Sequence, residues 1–497
     1  MDGMAVAPGF RRRRMKRQAL FLLIAAFLLN LVYNASLPLH FDEAYYWVWS
    51  RHLQLSYFDH PPLIAWLIRL TTLLGDAEWQ IRLVPLCCLS LTGLFLYGLA
   101  RDLFGGAVAE RALWIFLLSP LAQIGFSLAT PDAPLILGWA ATVYCAQKAA
   151  FGGDSRWYYA AGIAAGFAVL AKYTAVLLLP GLLAALLCAR RRELRRFELY
   201  AAIGMAMIMF VPVLIWNAGH DWSSFRFQLG HGLASTKVFN PATFLEYWGA
   251  QAIGLNPLFF LAFLYLLARR LPETLRDDRQ SFLLWPCLST LAFFGYAALF
   301  KRAEGNWAAP AHVTGIVLLA KWLDRPQFFR IYKSGIALGV ILILILKVPE
   351  MFDFLPRQLV MKRLVVGYDQ MFAVGGRYVT PATAVIAGDY KLASLACYYL
   401  PGHPTVRVAT PARVSQYDYW RTENDFSADS EVIFFGDYRQ AAYLTKLFRE
   451  VEPLPALTWH DRNISREIAV YRCRSLLVTN DPSSDFPPSR SDFGPSR

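Results

Sequence analysis

Apolar residues in this chain come in long uninterrupted runs rather than in the stripes of water-soluble helices. The first, Ala19 to Leu39, holds 21 residues without a charge, enough to cross a bilayer as a helix. Arg11 to Arg14, Lys16 and Arg17 precede it. A signal peptide also begins basic, but its apolar core is shorter and ends at a small-residue site. Asn34-Ala35-Ser36 matches such a site only faintly, and the chain runs straight on into an acidic motif. The run therefore reads as a retained anchor with its amino terminus in the cytoplasm. Further spanning runs fall at 80–100, 112–128, 134–150, 157–171, 173–189, 197–216, 246–268, 281–300, 308–321 and 335–350. Leu63 to Gly75 is too short to span, so 43–75 read as two helices lying in the outer interface.

From about residue 355 the pattern changes. Ala384–Gly388, Thr405–Ala409, Glu431–Phe435 and Glu467–Arg472 read as strands, with helices over Tyr390–Leu400 and Arg439–Arg449. Strands alternating with helices predict a small α/β domain. It has no glycine-rich nucleotide fingerprint. The expected fold class is a polytopic α-helical membrane protein of about eleven spans with outer interfacial helices and a small C-terminal extracytoplasmic α/β domain. Residues 1–18 would be a basic cytoplasmic terminus, 19–350 the transmembrane domain, 351–474 the α/β domain and 475–497 an unstructured tail.

Composition agrees with this pattern: 56% of the 497 residues are hydrophobic and 17% charged. The net charge of +13 does not indicate nucleic acid, because the bases sit in short clusters between apolar runs. With the amino terminus inside, 23 bases fall on the cytoplasmic side and 8 on the other, as the positive-inside rule requires. An odd span number then leaves the C-terminal domain outside. Of seven cysteines, five lie in apolar runs; Cys397 and Cys473 lie in the α/β domain, where spacing leaves a disulfide open.

The outer face collects the polar residues that spanning helices do not need. Asp42-Glu43 follows the first run, and Asp59-His60 stands before Pro61-Pro62, with Tyr45, Tyr46, Trp47, Trp49, Tyr57 and Phe58 between. Asp132 lies in the turn Thr130-Pro131-Asp132-Ala133-Pro134, and Lys172-Tyr173 in another. Asn217 and His220 belong to the WNAGHDW stretch from Trp216. Lys301, Arg302, Glu304, Asn306 and Trp307 belong to KRAEGNWAAP. Charged groups at the mouth of a membrane helix are costly and are kept for function. An interfacial carboxylate, Asp42, can act as general base on a hydroxyl, and Asp132 can position the partner group. Lys172, Lys301, Arg302 and His60 suit a phosphate, and the aromatics suit sugar rings and a lipid chain. No nucleotide sugar exists outside the cytoplasm, so an activated group must arrive on a lipid. Plainer roles compete: snorkelling for Lys172, lipid anchoring for Lys301 and Arg302, an aromatic belt for Trp216, Trp222 and Trp307, and loop positions for His220 and His231.

In these motifs the chain resembles the GT-C integral-membrane glycosyltransferases that use polyprenyl-phosphate sugars. Within them it is most similar to bacterial relatives of the protein O-mannosyltransferases and of the aminoarabinose transferase that modifies lipid A. Five motifs carry the resemblance in order over about residues 18–325: Asp42-Glu43, Tyr57 to Leu63, the Asp132 turn, the segment from Trp216 and that from Asn306. Over the tail it rests on the stretches from Gly388 and Tyr398. It implies that Asp42 is the catalytic base or orients the acceptor and that Asp132 shares the site. It also implies that Asp59-His60 lies by the donor phosphate or a divalent ion, although two ligands do not make a metal site. The aminoarabinose transferase has Glu-Lys where this chain has Asp-His, so the sugar stays open.

The resulting expectation is an inverting glycosyltransferase of the bacterial inner membrane with a periplasmic active site. It would move a sugar from an undecaprenyl-phosphate donor to a lipid or glycolipid acceptor, lipid A or lipopolysaccharide core. Protein O-mannosyl transfer is the alternative enzyme. A lipid-linked sugar transporter is the alternative of another class, against which stands the absence of inverted-repeat symmetry.

Overall fold

A computed structural model describes residues 8–233, 239–348, 362–408, 413–420, 430–461 and 464–477. They fall into two compact units: those of Met1–Ala35 with Gln54–Val360, and those of Ser36–Leu53 with Met361–Arg497. The junction at 350–351 and the tail from 478 onward lie outside the described residues, as do the side chains of Arg11 to Arg14, Lys16 and His231.

The first unit is helical, and the apolar runs become its helices. Among the described residues, five helices are long and apolar enough to cross a membrane, or six if one bent pair counts as a span: Arg17–Ala35, Glu78–Phe104, Phe197–Ala218, Asp278–Ala298 and Pro326–Lys347, with the pair Pro241–Leu255 and Pro257–Arg276. Other runs fold as shorter or divided helices. The run at 112–128 divides into Gly106–Leu117 and Pro120–Gly125, because Ser119 caps the second helix with its hydroxyl and Pro120 starts it.

The run at 246–268, expected to be one span, is instead broken by 109° between Leu255 and Pro257. Proline cannot supply the N–H that would continue the first helix. Asn256 takes the turn with φ at 101°, accepts from Leu258 N–H at 3.1 Å and donates to the Gly335 carbonyl at 2.8 Å. Its Oδ1 thus supplies the acceptor that the Leu258 N–H loses at the break, and its Nδ2 ties the turn to helix Phe329–Lys347.

Helices Asp132–Gly152 and Trp157–Ala171 form a hairpin. A Cβ on Gly138 would stand 2.9 Å from the Ala168 backbone, so the glycine permits close packing at that level. The start of one helix and the end of the other consequently meet. That places Asp132 beside Lys172.

The second unit is built on a five-stranded sheet of order β2-β1-β3-β5-β4. Its strands are β1 (Ala384–Ala387), β2 (Val406–Val408), β3 (Val432–Gly436), β4 (Phe448–Asp461) and β5 (Ile464–Leu476). β1 pairs parallel to β2 and β3, and β5 runs antiparallel to β3 and β4. Ile386, Phe434 and Tyr471 align across the register and enter one apolar core with Leu444, Phe448 and Cys473. The helices expected at 390–400 and 439–449 appear as Tyr390–Tyr399 and Ala441–Leu447. β4 was not foreseen, because Glu450, Glu452, Pro453 and Pro455 interrupt its alternation. Cys397 and Cys473 are both buried free thiols.

Helix Phe41–Arg51, which carries the acidic pair, folds with this unit rather than with the helical one to which the sequence assigned it. Its aromatic face explains the difference. Tyr45 stacks 5.9 Å from Tyr417 and lies 4.9 Å from Tyr390; Trp47 meets Tyr398 edge-on. Backbone N–H groups of Gln416 and Leu39 donate to the Tyr45 and Tyr399 hydroxyls, both at 2.6 Å. Rings expected to meet sugar rings or a lipid chain are instead packed within a folded domain.

Candidate active site

In the helical unit, two of the expected residues converge on the carboxylate of a third, Asp132. Lys172 Nζ donates to Asp132 Oδ1 at 2.8 Å, and Asn306 Nδ2 donates to Asp132 Oδ2 at 3.0 Å. Asp132 and Lys172 are only 8% and 7% exposed, so Lys172 does not snorkel to the surface. Each charge also suits its helix end: Asp132 opens Asp132–Gly152, and Lys172 terminates Trp157–Ala171. Asn306 remains exposed and gives the cluster its open side.

Beside this cluster, Tyr173 exchanges a hydrogen bond with Ser224 at 2.8 Å. Tyr173 also walls a cavity of about 480 Å³ between Trp157–Ala171, Leu178–Ala189 and Phe197–Ala218, with Val176, Leu179, Phe210 and Leu214 among its lining. The cavity is lined almost wholly by apolar side chains.

The loop of Tyr57, Asp59 and His60 is pinned through Gln54. The Gln54 N–H donates to the Tyr57 hydroxyl, its carbonyl accepts from Trp66 Nε1, and its side chain accepts from Trp216 Nε1, each at 3.1 Å. Gln228 closes the loop by donating to the Asp59 carbonyl at 2.6 Å. Asp59 is buried and His60 half-buried. Asn217 donates to the Val213 carbonyl, and His220 stacks 4.0 Å over Trp216 while bonding its carbonyl. These two residues shape the end of Phe197–Ala218. Arg302 pairs with Glu304 at 3.5 Å on the surface; Lys301 is half-buried, and burial draws its ammonium below the ordinary lysine range. Trp307 packs 5.8 Å from Phe294. Among the described residues, no three His, Cys, Asp or Glu side chains gather as a metal site.

Two residues that sequence reasoning missed support this arrangement, Gln251 and His312. Each lies in an apolar helix, where a lone polar residue gave no signal of its partner.

In the sheet unit, Glu43 is fully buried and its carboxylate accepts from the His40 N–H at 3.0 Å, closing a capping box. Tyr45 and Tyr46 are buried among rings. Asp42 remains partly exposed, 3.6 Å from His40. Burial pushes its carboxyl up; His40, Lys391 and Arg413 draw it down, and Glu43 adds to the rise, for a net upward shift. Lys391→Ala removes a stabilising cation and is expected to raise the Asp42 pKa further, whereas Glu43→Gln removes a like charge and is expected to lower it. An infrared titration of the carboxyl band checks both signs.

Comparisons with known proteins meet this geometry. The sequence pattern of the family described as Dolichyl-phosphate-mannose-protein mannosyltransferase matches residues 59–216, which include Asp59, Asp132 and Lys172. Over 90% of the chain, the fold superposes on ArnT from Cupriavidus metallidurans bound to undecaprenyl phosphate, with a TM-score of 0.65, 14% identity and 97% of that chain covered. The family pattern thus falls within the helical unit, and the fold is that of the ArnT structure. The apo form of the same ArnT gives a TM-score of 0.64 at 15% identity, covering 91% of this chain and 97% of that one. Lipid A galacturonosyltransferase RgtD from Rhizobium johnstonii is 29% identical over 288 residues, 57% of this chain. The match spans 60% of that relative's length.

Proposed function

We propose that the chain is a GT-C glycosyltransferase that moves a sugar from a polyprenyl phosphate to a lipid A-type glycolipid at the periplasmic face of the inner membrane. One observation carries the reading: a buried lysine, held by Asp132, adjoins in sequence a tyrosine that walls an apolar cavity. A lipid phosphate needs a cation for its head and an apolar path for its chain. The two names, one protein bound to undecaprenyl phosphate and one acting on lipid A, support the same donor and acceptor.

In this reading Lys172 takes the donor phosphate, and Asp132 with Asn306 fixes the lysine and the sugar's polar edge. A carboxylate base accepts the proton of the acceptor hydroxyl, the role that the sequence resemblance offers Asp42. The hydroxyl oxygen bonds to the anomeric carbon as the bond from that carbon to the phosphate oxygen breaks. Polyprenyl phosphate leaves with the electron pair, and the anomeric centre inverts. No step is routed through a metal ion.

Mass spectrometry of lipid A, core oligosaccharide and envelope proteins, from cells with and without the chain, tests the proposal. A sugar increment on lipid A that depends on the chain is expected, and the name of RgtD makes a galacturonosyl unit the first to seek. An increment on envelope proteins alone would transfer the reading to O-glycosylation. Accumulation of lipid-linked sugar on one leaflet without any glycan change would replace it with transport.

A further inference from the structure

Asn306 holds one oxygen of Asp132 from an exposed turn, and an exposed amide has no intrinsic reason to stay there. The reason lies behind it. Helix Pro241–Leu255, released from its partner by the break at Asn256, docks on the end of Asp278–Ala298: the Asn240 N–H donates to the Leu299 carbonyl at 2.7 Å, Thr243 Oγ1 to the Ala298 carbonyl at 2.8 Å and the Tyr247 hydroxyl to the Leu291 carbonyl at 3.1 Å. That docking sets Gln251, 1% exposed, against the turn Gly305–Ala308. Gln251 Nε2 donates to the Gly305 carbonyl at 2.9 Å.

The contact requires a glycine at 305. A Cβ there would stand 2.8 Å from the Ala250 Cβ, so a larger residue would lift the turn off the helix. The Gln251 amide is itself oriented: its Oε1 lies 2.9 Å from His312 Nε2. With Nε2 of Gln251 committed to a carbonyl, Oε1 is the acceptor, and His312 carries its proton on Nε2. His312 is 6% exposed at the start of Ala311–Trp322. A continuous chain of hydrogen bonds and one peptide unit therefore runs from His312 through Gln251 and Gly305 to Asn306, and on to Asp132 and Lys172.

We infer that His312 and Gln251 are positioning residues: they hold the Gly305–Asn306 turn so that Asn306 fixes the Asp132 carboxylate, and with it the lysine that receives the donor phosphate. The inference rests on the transferase reading for its kinetic consequence but not for its structural one. His312 is buried and acts through Gln251. Its hydrogen bond pairs the buried Oε1 of Gln251 and gives the amide a second anchor besides the Gly305 carbonyl; without it that oxygen is left unpaired and the side chain is free to swing away from the turn.

The test is a double-mutant cycle on the full chain with a synthetic polyprenyl-phosphate sugar, combining His312→Ala with Asn306→Ala. His312→Ala alone is expected to lower kcat by about tenfold. The double variant is expected to be no slower than Asn306→Ala alone, because residues acting through one contact are not additive. His312→Gln, which offers an N–H from the same direction, is expected to restore most of the rate. Losses that multiply in the double variant, or a His312→Ala enzyme of full rate, would overturn the inference. An experimental structure of the His312→Ala variant reads the same point without substrate, with Asn306 expected beyond hydrogen-bond distance of Asp132. Finding Asn306 still bonded there defeats the positioning role even if no transfer is ever detected. Absence of transfer in the parent chain together with a displaced Asn306 would defeat the transferase reading and leave the positioning role standing.

Discussion

Lys172→Ala is expected to abolish sugar transfer and to destabilise the helical unit by about 3–5 kcal/mol, the usual cost of stripping one partner from a buried ion pair. The cost arises from what is left behind. Asp132 would keep one amide donor, Asn306, and its other oxygen, buried with the residue, would lose the lysine that pairs it. Adding Asp132→Asn removes that charge, so the double variant is expected to recover most of the lost stability and none of the activity. Thermal unfolding in detergent, read beside turnover, separates the two effects. A double variant as fragile as Lys172→Ala would show that the lost stability comes from packing of the lysine stem. A Lys172→Ala enzyme that still turned over would remove the lysine from the donor phosphate altogether.

The reason these residues were legible in the sequence is that charge in an apolar chain is costly and therefore conspicuous. Asp132, Lys172 and Asn306 lie 40 and 134 residues apart, yet each interrupts a turn between two apolar runs, and the hairpin of Asp132–Gly152 and Trp157–Ala171 brings two of them together. Helices announced by long apolar runs were equally plain. What the runs concealed were the breaks: Pro257 marks a stop in the sequence, but the bend also depends on Asn256 capping the Leu258 N–H and reaching Gly335, a partner 79 residues away. Gln251 and His312 were invisible for a related reason, since a single polar residue in an apolar helix says nothing about which other polar residue it meets. The aromatic face of Phe41–Arg51 shows the opposite error. Tyrosine and tryptophan serve a lipid interface and a protein interface with the same amphipathic ring, and composition does not tell which one Tyr45 and Trp47 have.

Asp42→Asn is expected to slow transfer by roughly 10²–10⁴-fold, the range general-base catalysis supplies, while leaving donor-lipid affinity and folding intact. The choice of Asp42 over its neighbour follows from what each acid already does. Glu43 is fully buried and committed to the His40 N–H, where Gln serves a cap as well as Glu. Asp42 is partly exposed, and its proton affinity is set by competing neighbours: burial and Glu43 raise it, and His40, Lys391 and Arg413 lower it. A base whose pKa is raised toward the working pH removes a hydroxyl proton more effectively than an ordinary carboxylate, at the expense of a rate that falls once the pH drops through that pKa. The acid limb of the kcat/KM profile should therefore lie above the normal aspartate range of about 4, and it should vanish in Asp42→Asn together with the glycolipid increment. Preservation of both the limb and the increment in that variant would assign the base elsewhere and leave Asp42 as a residue that only orients the acceptor.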